Sequence, residues 1–185
     1  MKYLTFLLML VSLVCYADNH KHDHNHNHKH DHKKDKKNSL KAHEHGVGLL
    51  NIAQDSNLLV FEFELPGFDV VGFEYKAKKK EDIKKVKQAI NVMSKYDNMI
   101  EISQKAGCKE NQSEAFLLEE GNHTEFRSKY ILNCFNINNI EEIEIHYFKN
   151  FKNSKKLKVK IVSEKETSTL ELLSNDNVIK TKNYF

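Results

Sequence analysis

Hydrophobic and polar positions alternate through most of the chain after residue 46. Residues 47–53 read as a strand, Asp55-Ser56-Asn57 supplies turn formers, and residues 58–65 return as a second strand. In the second strand Leu59, Phe61, Phe63 and Leu65 share one face, and Glu62 and Glu64 share the other. Alternation with period two marks a half-buried strand, and Pro66-Gly67 ends it. Residues 79–96 change period: Ile83, Val86, Ile90 and Met93 recur at spacings of three and four, which predicts an amphipathic helix with lysines over its solvated face. Residues 108–118 and 123–134 predict a hairpin around Glu119-Glu120-Gly121-Asn122, and residues 142–148, 156–163 and 169–173 predict further strands. The expected fold class is α+β: an antiparallel sheet with one main amphipathic helix, occupying residues 42–185.

The first 41 residues are different in kind. Lys2 precedes an apolar run over residues 4–14, too short to span a bilayer. Cys15-Tyr16-Ala17 places small residues where a signal peptidase needs them. Residues 1–17 therefore read as a signal peptide, and the mature chain is expected in the periplasm, with no membrane association after cleavage. Only Lys2 among the charged residues is lost with the leader, so the formal charge falls from +3 to +2. That charge is mild and mixed in sign, with no nucleic-acid motif, so no nucleic-acid partner is expected. Residues 18–41 read as a disordered tract and linker, low in apolar side chains and rich in charge.

Export also decides the cysteines. Cys15 leaves with the leader, and Cys108 and Cys134 remain. Two cysteines in an oxidising compartment point to one disulfide. A hairpin centred on Gly121 sets position 108 opposite position 134, within bridging distance.

Nine of the eleven histidines lie between His20 and His45. His20, His22, His24, His26, His28, His30 and His32 alternate with lysine, aspartate and asparagine, which makes a multidentate chelator that needs no fold. Imidazole binds zinc, copper and nickel, and must shed its proton to do so, so binding weakens as pH falls through the imidazole range near about 6.5. Zinc is the expected metal, with copper or nickel as alternatives. His43-Glu44-His45 follows directly before the first strand. If extended, His43 and His45 point to one face about 6.6 Å apart by strand rise, close enough to converge on one ion. On spacing alone His123 reads as a solvated turn histidine, and His146 as a strand residue on a glutamate-bearing face. No nucleophile elbow, phosphate loop, His-Glu-x-x-His helix or Cys-x-x-Cys pair occurs, so no enzyme is expected. A pH-gated, histidine-rich interaction module is the alternative of a different class.

The folded part resembles the ZrgA-like periplasmic zinc-binding proteins. The residues that carry the resemblance are His43-Glu44-His45-Gly46-Val47, Pro66, Val71-Gly72-Phe73-Glu74, Ala106-Gly107-Cys108, His123-Thr124-Glu125-Phe126, Tyr130, Cys134 and Tyr147-Phe148-Lys149-Asn150-Phe151. They run in order from His43 to about residue 161. The resemblance implies zinc capture in support of an uptake system, with a zinc transporter or its periplasmic component as partner. It raises His43, His45 and His123 to candidate ligands; apart from the resemblance, Glu44 and Glu74 are candidate oxygen donors beside them. The chain departs from the pattern at Tyr75, where the resemblance leads one to expect a histidine.

Overall fold

The computed structural model describes residues 44–185. The expected signal peptide, the tract from His20 to His32, the expected linker and His43 lie outside the described residues. Nine strands and four helices follow in the order β1 (Val47–Asp55), β2 (Leu58–Pro66), α1 (Gly67–Val71), α2 (Lys80–Met93), α3 (Tyr96–Met99), β3 (Ile100–Ile102), β4 (Cys108–Glu120), β5 (His123–Cys134), β6 (Glu142–Ile145), α4 (Tyr147–Asn150), β7 (Lys156–Val162), β8 (Thr167–Leu173) and β9 (Val178–Lys180).

Six strands form one sheet in the order β4-β5-β2-β1-β7-β8, and β3-β6-β9 form a second. The alternation read from sequence decides which face of the larger sheet is buried. Leu50 and Ile52 of β1, Leu59, Phe61, Phe63 and Leu65 of β2, Tyr130 and Leu132 of β5, and Leu157, Val159 and Ile161 of β7 all turn inward. Register locks these rows together: Ile52 pairs with Phe61, Phe61 with Tyr130, and Leu50 with Val159. A slip of one residue in any of them would turn the row out to solvent. The outer face carries short ion-pair ladders, Lys129 to Glu62 at 2.8 Å and Lys156 to Glu171 at 2.8 Å. Such exposed pairs are screened by solvent and contribute little, so the inner face holds the sheet.

Four sequence expectations differ from the structure, the last of them at the hairpin. The sheet is not wholly antiparallel, because β1 and β7 pair in parallel; side-chain alternation is the same for either direction, so periodicity does not distinguish them. The helix stops at Met93 rather than at residue 96, and its buried face is rotated. Asp82 is buried and Ile83 exposed, and Asp82 Oδ2 accepts the Tyr75 hydroxyl at 3.0 Å. The strand expected over residues 142–148 ends at Ile145. His146 leaves the strand with φ −88° and ψ 5°, and its carbonyl accepts from the amides of Lys149 and Asn150, which starts α4.

The disulfide joins Cys108 and Cys134 as expected. The hairpin, however, is centred between Gly121 and Asn122, since Glu120 pairs with His123. With that centre a regular ladder would set Cys108 against Phe135. A register shift between Glu110 and Gln112 absorbs Asn111 and returns Cys108 to the position opposite Cys134.

Candidate metal centre

Three segments meet at one end of the large sheet. The first is the turn before β1. The Val47 amide donates to the Glu44 carbonyl at 3.1 Å, and Gly46 takes φ +88°, a left-handed conformation that side-chain-bearing residues rarely adopt. His45 is held on this turn. The second segment is Pro66 to Glu74, the chain leaving β2. Gly67 lies so close to β5 that a Cβ there would sit 2.1 Å from Thr124 Oγ1; only glycine allows the approach. The third is the start of β5, where His123 follows the hairpin turn.

Helix α1 fixes the first segment against the second. Asp69 is buried, and its Oδ1 accepts the Gly46 amide at 2.6 Å while its Oδ2 accepts the Tyr147 hydroxyl at 2.8 Å. Phe68 stacks on the His45 ring with centroids 4.7 Å apart and planes 13° from parallel. Burial raises the Asp69 pKa above its ordinary value. The Tyr147 hydroxyl, the Gly46 amide and His45 pull it back, and Glu74 pushes it further up. The Tyr147 hydroxyl is pushed upward too, by burial and by the neighbouring Asp69 carboxylate.

Glu74 is the meeting point. His45 Nε2 lies 3.1 Å from its Oε1, and His123 Nδ1 lies 3.1 Å from its Oε2. The carboxylate is largely shielded at 12% side-chain exposure, while the imidazoles are open to solvent at 55% and 62%. Two imidazoles and one carboxylate are a donor set that zinc accepts, and here the two imidazoles lie against opposite oxygens of the one carboxylate.

Of the sequence candidates, then, His45, Glu74 and His123 come together. Glu44 is exposed and contributes its carbonyl to the turn. Tyr75 points to Asp82 and stacks on Phe73 with centroids 4.6 Å apart, so this position supplies no ligand here. The contact of His123 with Glu74 is one that spacing alone missed. Its signal was the hairpin, which brings the start of β5 beside the residues following β2, with Pro66 paired to Glu125.

Residues 42–181 match the model of the ZrgA family of zinc uptake proteins. The chain belongs to this family. No curated protein matches it. Membership of ZrgA ties the chain to zinc, and the His45–Glu74–His123 group lies within the matched span.

Positioning can be tested apart from ligation. Tyr147→Phe keeps the buried ring and removes one donor from the Asp69 carboxylate. Hydrogen bonds to charged groups contribute roughly 1.5–3 kcal/mol, so chemical denaturation is expected to show a loss of that order. Zinc affinity at the domain is expected to fall by up to about tenfold, since outer-shell changes cost about 10–100-fold when they touch the ligand directly and Tyr147 acts one residue further back.

Proposed function

We propose that this chain is an exported, periplasmic zinc-binding protein without catalytic activity, which captures and buffers zinc and passes it to a zinc transporter or that transporter's periplasmic component. The observation that carries the reading is the convergence of His45 and His123, far apart in sequence, on the two oxygens of the shielded Glu74 carboxylate. Family membership and the signal-like leader support zinc and export.

The mechanism is ligand exchange. The repeated histidines of residues 20–32 are interchangeable donors by composition and hold zinc weakly. Joined to the domain by the chain itself, they raise the local concentration of bound ion, as a second binding module does. An ion held by His45, Glu74 and His123 keeps one exchangeable position, through which a tract imidazole delivers and an acceptor protein withdraws. His43 adjoins this group in sequence and is the remaining imidazole candidate.

The test is zinc titration of the mature chain beside a form lacking residues 18–37. The shortened form is expected to keep one tight event and lose the weaker ones. A shortened form that binds no zinc would leave the tract as the whole metal-binding apparatus.

A further inference from the structure

On the smaller sheet, two glutamates face each other. Glu101 of β3 pairs directly with Glu144 of β6 in the antiparallel register. Like charges directly opposed on neighbouring strands are destabilising, so this pairing calls for a positive partner. The nearby lysine on β9, Lys180, is bonded to Glu142 instead. What does face the two carboxylates is His146. Its Nε2 lies 3.5 Å from Glu101 Oε2 and 3.7 Å from Glu144 Oε1, with the side chain 12% exposed.

Each group is aimed by the fold around it. The His146 amide donates to the Met99 carbonyl at 2.9 Å, just ahead of β3, and its carbonyl opens α4. Asn177 Nδ2 reaches Glu144 Oε1 at 3.3 Å and the Ile145 carbonyl at 3.0 Å, steadying that carboxylate. Behind them Ile100, Ile143, Ile145 and Ile179 are buried, giving the cluster a rigid floor. One ligand atom from each of Glu101, Glu144 and His146 lies within 4.8 Å of the others. An ion between them would offset the opposed charges and replace a long imidazole–carboxylate contact with coordination.

We propose that Glu101, Glu144 and His146 form a second divalent-cation site, separate from the His45–Glu74–His123 group. Its single imidazole suits zinc better than calcium or magnesium, which prefer oxygen alone. With three protein ligands, two of them well exposed, it is a labile site that loads after the first. It gives the folded domain a store of its own, distinct from the tract.

The experiment follows the imidazole ring signals of the full mature chain, labelled in histidine and assigned through bonds from the backbone, while zinc is added to excess. His146 signals are expected to shift in the wild type and in a His45→Ala/His123→Ala variant, and to stay put in Glu101→Gln/Glu144→Gln. Metal-free Glu101→Gln/Glu144→Gln is expected to melt at or above the wild-type temperature, because the opposed charges are gone. His146 signals that stay unmoved in the wild type after those of the tract have saturated would overturn the site. So would an equal shift in a folded Glu101→Gln/Glu144→Gln variant. Because His45 and His123 report separately, failure of the first group and failure of this one are told apart in the same spectra.

Discussion

Replacing both His45 and His123 with alanine removes the tightest zinc-binding event of the mature chain and leaves the weaker events of the tract. Changes to groups that merely orient a ligand already cost about 10–100-fold in metal affinity. Loss of two of three ligands is therefore expected to weaken the domain site by well over ~100-fold. Folding should be spared. Both imidazoles are more than half exposed, at 55% and 62%, and surface substitutions usually change stability by no more than ~0.5 kcal/mol. Glu74→Gln is the companion variant. It keeps the shape of the side chain and removes the charge that both imidazoles share, so the same event should be lost. Competition with a calibrated zinc chelator reads the affinity, and thermal melting of the metal-free variants reads the fold. A tightest event that survives the double replacement would show that the ligands lie elsewhere.

The second large effect is on stability. Replacing Cys108 and Cys134 with serine is expected to cost about 3–4 kcal/mol, the usual worth of closing a loop of this size in the unfolded chain. The bridged residues are 26 apart. The bridge ties β4, an edge strand of the large sheet, to β5, whose Tyr130 hydroxyl in turn donates to the Met93 carbonyl at the end of α2. His123 stands at the far end of the same hairpin, beside the Gly121 turn. Zinc affinity of the folded serine variant should therefore change less than tenfold, even as its denaturation midpoint falls. Urea denaturation of the oxidised wild type and of the variant measures the first quantity, and chelator competition under native conditions the second.

Much of the larger sheet was legible because one of its faces is buried and the other wet. The rows Leu59–Leu65 and Leu157–Ile161 write that asymmetry into the sequence as strict alternation. Three-residue strands such as β3 and β9, and single-turn helices such as α1, are too short to show a period, so the smaller sheet stayed hidden. With it went the pairing of Glu101 with Glu144, and so the surroundings of His146, which looked like one more polar strand position. Asp82 was unreadable for another reason: its carboxylate is buried yet hydrogen-bonded to the Tyr75 hydroxyl, a contact that periodicity does not show.

The candidate site was legible only in part. The His43-Glu44-His45-Gly46 stretch stands out by composition, but nothing in its spacing names Glu74 or His123. Those two reach it because Gly67 lets the chain after β2 lie against β5, and because Asp69 clasps the Gly46 amide. Proximity set by a glycine contact and a buried carboxylate leaves no periodic trace. The resemblance to a known family supplied what periodicity could not.

Zinc is expected on the domain, among His45, Glu74 and His123, and not on the tract alone. Anomalous scattering at the zinc edge, from crystals of the mature chain grown with one equivalent of zinc, tests it most directly. The expected result is a strong peak within ~2.0–2.2 Å of a nitrogen of each imidazole and an oxygen of the Glu74 carboxylate. A map with zinc elsewhere and none among these three side chains would contradict it.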